Sequence, residues 1–204
     1  VIVFSRKDEA ERGMDLLRRR LERYGLRLNP GKTRLVDFRR PLRRQSRGKG
    51  PETFDFLGFT WYWRRSRRGR WVAACKTRAA RLGRAIRSVH HFCRRHRHES
   101  VPTQHAALTR RLAGHYHYFG VNGNRRSLDQ LRYHAERAWY RWLSRRSQKS
   151  RLNWERFQDL LRDFPLPRPR VTVQIWVSGS ASRPSGGAGW WKSPCPDLAR
   201  ALAG

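Results

Sequence analysis

Acidic side chains are scarce in this chain: among its 204 residues, 15 Asp and Glu stand against 47 Lys and Arg. No Asp-Asp pair occurs, and Asp8, Asp15, Asp129 and Asp163 fall on helical patterns as surface or capping acids. That argues against a self-contained two-metal phosphoryl-transfer centre, whose carboxylates must converge on ions about 3.5–4 Å apart. Cysteine is also rare. Cys75, Cys93 and Cys195 are too few and too scattered for a disulfide framework, so a reduced, cytoplasmic compartment is expected. Long apolar runs are missing. The only early one, Val1 to Phe4, is far too short for a membrane span or a signal peptide. The first residue is Val rather than Met, which suggests a fragment. Lysine is confined to Lys7, Lys32, Lys49, Lys76, Lys149 and Lys192.

What is abundant is arginine, and with it a formal net charge of +32. Such an excess repels itself unless a polyanion or counterions neutralise it. A bias of arginine over lysine in the genome explains the choice of base but not the shortage of acids. The guanidinium fork pairs with phosphate oxygens and stacks on bases. With 12% aromatic residues beside it, the charge points to nucleic acid. A membrane-surface role is the weaker rival, because no basic amphipathic helix carries a broad apolar face free of the core.

Read in order, the chain starts with an apolar strand at Val1–Phe4. Ser5 and Asp8 have the spacing of a capping box. Ala10, Met14, Leu17, Leu21 and Tyr24 then recur at steps of three and four, a core-facing helical stripe that Gly25 stops. Leu26 to Asn29 alternates as a short strand, Asn29-Pro30-Gly31 is turn chemistry, and Lys32 to Phe38 alternates as a return strand. Arg39 to Pro51 is a basic loop. Phe54 to Trp63 is one apolar strand with a glycine bulge at Gly58, and Arg64 to Gly69 is an arginine-laden turn before a returning strand from Arg70 to Ala74.

Beyond residue 75 the period becomes helical. Ala79, Leu82, Ile86, Val89 and Cys93 mark one helix. A second, with Pro102 in its first turn, points Leu108, Leu112, Tyr116 and Phe119 inward. Asn122-Gly123-Asn124 breaks it. Ser127 and Gln130 suggest another capping box, ahead of an apolar face of Leu128, Leu131, Ala135, Ala138, Trp139 and Trp142. Arg137, Arg141 and Arg145 share a different face. Asn153 is placed to cap a shorter helix carrying Trp154, Phe157, Leu160 and Leu161, and Pro165, Pro167 and Pro169 enforce an extended segment. Val171 to Val177 has strand character, and Ser178 to Gly204 has the composition of a disordered tail. The expected fold class is α+β, with a mixed piece at 1–75, a helical piece at 76–172 and a tail at 173–204.

Three strings carry a resemblance. Leu28-Asn29-Pro30-Gly31-Lys32-Thr33 and then Phe54-Asp55-Phe56-Leu57-Gly58-Phe59 resemble the last two conserved blocks of a reverse-transcriptase palm of the group II intron type. Arg110-Arg111-Leu112-Ala113-Gly114-His115-Tyr116-His117-Tyr118-Phe119, followed by Asn122-Gly123-Asn124-Arg125-Arg126, resembles the maturase block that follows such palms. His115 stands where the family more usually has Trp. The resemblance covers residues 1 to about 172. It implies a partial palm of strand–helix–strand plus hairpin, then a helical thumb and maturase bundle. Val1 to Phe4 would directly follow a metal-binding Tyr-x-Asp-Asp turn that is absent here. The intact protein would use Mg²⁺, copy RNA into DNA on an RNA/DNA primer-template, and help group II intron RNA to fold and splice. This chain by itself is expected to hold no cofactor and to lack polymerase activity, with oligomeric state left open. The alternative is a stand-alone RNA-binding splicing factor or a remnant without polymerase function.

By the same resemblance no residue here is directly catalytic. Lys32 would be an auxiliary to the polymerase site, stabilising or protonating the departing pyrophosphate. Lys32, Gly58 and Phe59 would contact primer and template. Intron RNA would be met by Arg64, Arg65, Arg67, Arg68, Arg110, Arg111, His117, Tyr118, Asn124, Arg125, Arg126, Arg137 and Arg141, suited to phosphates, 2′-hydroxyls and exposed bases. His90, His91, Cys93, His96 and His98 share a short stretch, but no second Cys pair follows and the flanking arginines oppose a cation, so they read as a basic helix end. Nothing after Arg170 supplies the Cys pairs of a zinc endonuclease domain.

Overall fold

A computed structural model describes residues 1–41, 52–146 and 152–174. Among these residues the fold is α+β, with five helices and one three-stranded antiparallel sheet. The elements are α1 (Lys7–Glu22), β1 (Phe54–Phe56), β2 (Phe59–Arg65), β3 (Trp71–Thr77), α2 (Ala79–Arg95), α3 (Val101–Phe119), α4 (Arg125–Leu143) and α5 (Trp154–Asp163). The strands lie in sequence order. Two compact units divide the described chain: one takes its residues from 1–54 and 62–73, the other from 55–61 and 74–174.

In the first unit α1 ends as its sequence predicts. The Gly25 amide donates to the Glu22 carbonyl and the Leu26 amide to that of Leu21, with Gly25 at φ +70°. This is the paired closure that favours glycine just past a helix. The start differs from expectation. Arg6 is the N-cap without a side-chain cap bond, and Asp8 is held instead by Arg6 at 3.1 Å and Arg12 at 2.8 Å. A local ion pair has replaced the capping box.

The strands expected at 1–4, 26–29 and 32–38 do not form. A strand exists only through a ladder partner, and the described residues supply none to these segments. Asn29 to Thr33 is a turn, with the Asn29 carbonyl accepting from the Lys32 and Thr33 amides. Residues 34–38 are instead tied to 52–54 through side chains. Arg34 donates to the Thr53 carbonyl, and the Asp37 amide donates to the Glu52 carboxylate. Phe38 stacks on Trp63 at 5.3 Å and meets Phe54 edge-on at 4.9 Å, while Trp63 Nε1 donates to the Phe38 carbonyl.

The single strand expected over Phe54–Trp63 is two strands. Leu57 and Gly58 have φ of 50° and 81° and turn the chain between β1 and β2. A two-residue hairpin loop of type I′ places both central residues at positive φ, and Gly supplies the second at no steric cost. The arginine-laden β2–β3 turn forms as predicted. The Ser66 amide donates to the Arg70 carbonyl at 2.8 Å and the Arg70 amide returns to Ser66 Oγ at 3.2 Å.

The second unit is built on α2 to α5, and its helices match the expected periods. Leu82, Val89, Phe92 and Cys93 of α2 join Leu108, Leu112, Tyr116 and Phe119 of α3 in one core. Leu128, Leu131, Ala135, Ala138, Trp139 and Leu143 of α4 complete it, with Phe157 of α5 and Leu166. Ser100 caps α3 by accepting from the Thr103 amide at 3.3 Å, and Asn153 caps α5 by accepting from the Arg156 amide at 2.9 Å. The capping box expected at Ser127 is not used, because α4 already starts at Arg125 with Asn124 as N-cap. Of the strand expected at 171–177, the described part makes one parallel bridge, Val121 with Val173. The basic loop within 42–51, the tail from 178 and Cys195 lie outside the described residues.

Candidate nucleic-acid interface

With so few acids, an arginine's availability depends on whether a carboxylate already holds it. Asp37 takes Arg39, which in turn lowers the Asp37 carboxyl below its usual range. Asp55 pairs with Arg78 at 2.9 Å, Glu136 with Arg132 at 2.8 Å and Asp159 with Arg162 at 2.8 Å. Asp129 holds Arg125 through both oxygens, at 2.9 and 3.0 Å. Arg125 is therefore exposed but engaged, and a phosphate there must compete with a neighbour four residues away.

Several expected contact residues meet no acid among the described residues. Arg64, Arg67 and Arg68 surround the β2–β3 turn, all exposed. Arg65, at the end of β2, is by contrast engaged, its guanidinium 5.1 Å above the Trp71 ring. Arg110, His117 and Arg126 are exposed without an acidic partner, and Arg111 lies 4.4 Å over the Phe92 ring. Arg137 sits between two aromatic rings, 5.6 Å from Tyr133 and 5.0 Å from Trp154. Arg141 is exposed, and together with Arg94 and His91 it helps burial to lower the His90 imidazole below its ordinary value.

Asn124 does not belong to this surface. It is 1% exposed, and its amide is fully used. Oδ1 accepts from the Thr77 amide at 2.8 Å, and Nδ2 donates to Thr77 Oγ1 and to the Phe119 carbonyl, each at 2.8 Å. It ties the end of β3 to the α3–α4 turn.

The primer-template residues belong to different units. Lys32 is an exposed turn residue of the first unit. Gly58 and Phe59 belong to the second and converge with Tyr118, whose hydroxyl donates to the Leu57 carbonyl at 3.1 Å and whose ring lies parallel to Phe59 at 6.2 Å. Phe59 also packs edge-on against Phe119 at 5.1 Å. A Cβ on Gly58 would stand 3.4 Å from the Phe119 ring. Turn geometry and this close packing account for the glycine within the fold itself.

The short His and Cys stretch also separates. Cys93 is buried, its thiol pushed up to about 12 by burial. His96 is spent on Glu99 at 2.6 Å and stacked on Phe92. Among the described residues no three His, Cys, Asp or Glu side chains are placed to hold a metal. Asp55 is engaged by Thr60 and Arg78.

The structure adds residues that the motifs did not single out. Gln104, 1% exposed, accepts from Trp139 Nε1 at 3.0 Å and donates to the Arg97 and Glu99 carbonyls at 3.3 and 2.9 Å. Its signal in the sequence was a polar residue one turn before Leu108 on the same apolar stripe. Trp142, already expected on the apolar face of α4, gathers Arg94 at 5.7 Å and Arg145 at 5.9 Å over its ring, and donates to His90 Nε2 at 3.3 Å.

No family model, curated protein or solved structure matches the chain. No helix among the described residues is long and apolar enough to cross a membrane. What the fold and its surface define is an α+β protein whose described residues include exposed arginines that meet no acid, such as Arg64 and Arg126, and others set against aromatic rings, such as Arg111 and Arg137.

Proposed function

We propose that this chain is an RNA-binding part of a group II intron reverse transcriptase/maturase, comprising the end of the palm, the thumb and the maturase region. The observation that carries the binding reading is the +32 charge, left exposed in Arg64, Arg67, Arg68, Arg110, Arg126 and Arg141. Arginines beside Trp and Tyr rings suit a ligand with both phosphates and unstacked bases. The narrower assignment, to intron RNA and its splicing, rests on the order of the three motif strings. In the intact protein Lys32, Gly58 and Phe59 would serve primer and template, and the chain by itself would not extend a primer.

The test is a titration of structured RNA against the purified chain across a range of salt. Affinity should fall steeply, with a log–log slope of roughly 0.7 to 0.9 for each phosphate neutralised. A flat salt dependence removes the binding reading. Preference for a group II intron RNA over an unrelated folded RNA of equal length tests the narrower assignment; equal affinity removes it. Primer extension with Mg²⁺ should give no product.

A further inference from the structure

We propose that a basin at the end of α2, formed by His91, Arg94, Arg95, Arg97 and His98, seats consecutive phosphates of an RNA strand; this rests on the RNA-binding reading above. The basin has a volume of about 430 Å³, and no carboxylate lines it. The closing carbonyls of α2 favour a cation, but they amount to roughly half a negative charge. Three arginines, Arg94, Arg95 and Arg97, line that one place. Glu99, the acid next to them in sequence, is hydrogen-bonded to His96 at 2.6 Å and does not line the basin. An external anion is what remains to balance the group.

The seat is also held in place. Arg97 and His98 lie in the loop between α2 and α3, where long basic side chains would otherwise cost much conformational entropy to align. Buried Gln104 grips that loop at the Arg97 and Glu99 carbonyls while anchored to buried Trp139. Arg146 donates to the Glu99 carbonyl as well. Arg97 Nη1 reaches back to the Arg94 carbonyl at 3.4 Å.

A polymer fits better than an isolated anion because the positive surface continues. Arg94 belongs both to the basin and to the Trp142 ring, which Arg145 also covers. A strand whose phosphate enters the basin therefore meets further guanidinium groups, those arrayed over Trp142.

The probes are a uridine decanucleotide and inorganic phosphate, each titrated into the whole chain. The imidazole proton resonances of His91 and His98, assigned by His→Gln substitution, report the basin directly. RNA should shift both at far lower concentration than phosphate. Shifts with phosphate and none with RNA would make this a free-anion site, and no shift with either would remove the site; both outcomes overturn the proposal. Binding gives the second readout. Arg94→Gln/Arg95→Gln/Arg97→Gln should weaken RNA binding at least tenfold and flatten the salt slope by about 0.7 per lost contact. If that variant unfolds, Arg95→Glu, at an exposed position, carries the same test. An unchanged slope in these variants, with RNA still bound and Arg67→Gln/Arg68→Gln weakening it, overturns the basin and leaves the RNA-binding function standing. Failure of the unmodified chain to bind any RNA removes both.

Discussion

In the second unit Leu108, Leu112, Leu128, Leu131, Trp139 and Phe157 are no more than 1% exposed. In the first, Val1, Ile2, Leu16, Tyr24, Leu26 and Leu35 remain between 46% and 73% exposed. Both units contain a helix with apolar residues three and four apart. In α4 that stripe meets α2, α3 and α5. In α1 only Ala10 is buried, and Met14, Leu17 and Leu21 are half-covered. An amphipathic period thus states which face a helix will bury if a partner is present, and says nothing about the partner. Most helical stability comes from packing that face rather than from propensity.

The contrast breaks first at Trp139, which is fully enclosed, edge-on to Phe157 at 5.9 Å and bonded to Gln104. Trp139→Ala should cost about 3–5 kcal/mol of the stability of the helical unit, through lost burial and the cavity left behind. Urea unfolding followed by circular dichroism checks it. A midpoint near that of the unmodified chain would mean that the core is not cooperative.

Asn124→Ala comes next. It leaves the Thr77 amide and one interaction of the Phe119 carbonyl without their partner in a buried place, at about 2–3 kcal/mol. Asn124→Asp should recover only part, since a carboxylate accepts from the Thr77 amide but cannot donate to the Phe119 carbonyl.

His115 sharpens the comparison through pH. Burial lowers its imidazole to about 4 from an ordinary 6.5, and its Nε2 has no hydrogen-bond partner among the described residues. Between those values the unfolded chain binds the proton and the folded chain does not, so stability rises with pH across that window. Acidification through the window therefore destabilises the second unit, and the contribution is flat above and below it. His115→Leu should remove that part of the pH dependence, read as thermal midpoints from acid to neutral pH. An unchanged profile would show that the ring is open to water.

The smallest effect belongs to the first unit. Leu16 is 67% exposed, and Leu16→Ala should change stability by less than about 0.5 kcal/mol. A loss comparable to that at Trp139 would erase the distinction between the units.

Local rules carried well wherever the physics is local. The Gly25 closure of α1, Pro102 in the first turn of α3, the Asn153 cap of α5 and the arginine turn after β2 are each set by residues a few positions apart. The same locality misled at Ser5 and Ser127, where the spacing of a capping box was right but the helix began elsewhere. At Phe54–Trp63 the apolar run hid a two-residue turn, since Leu57 gives no outward sign of the positive φ it adopts. Gly58 did give one, and reading it as a bulge left the strand unbroken.

The sequence by itself determined the excess of positive charge, the helical periods from Ala79 to Leu161 and the arginine-rich turn. Composition needs no folding, and a helix closes its hydrogen bonds within its own segment. Only the tertiary structure decided that the alternating stretches at 1–4, 26–29 and 32–38 have no ladder, that Asn124 turns inward, that Asp129 engages Arg125, and that Gln104 holds the loop beside the α2 basin. Each depends on groups brought together from distant positions or on the direction a side chain takes, and neither strand pairing nor the burial of a polar side chain is written in the period of its own segment.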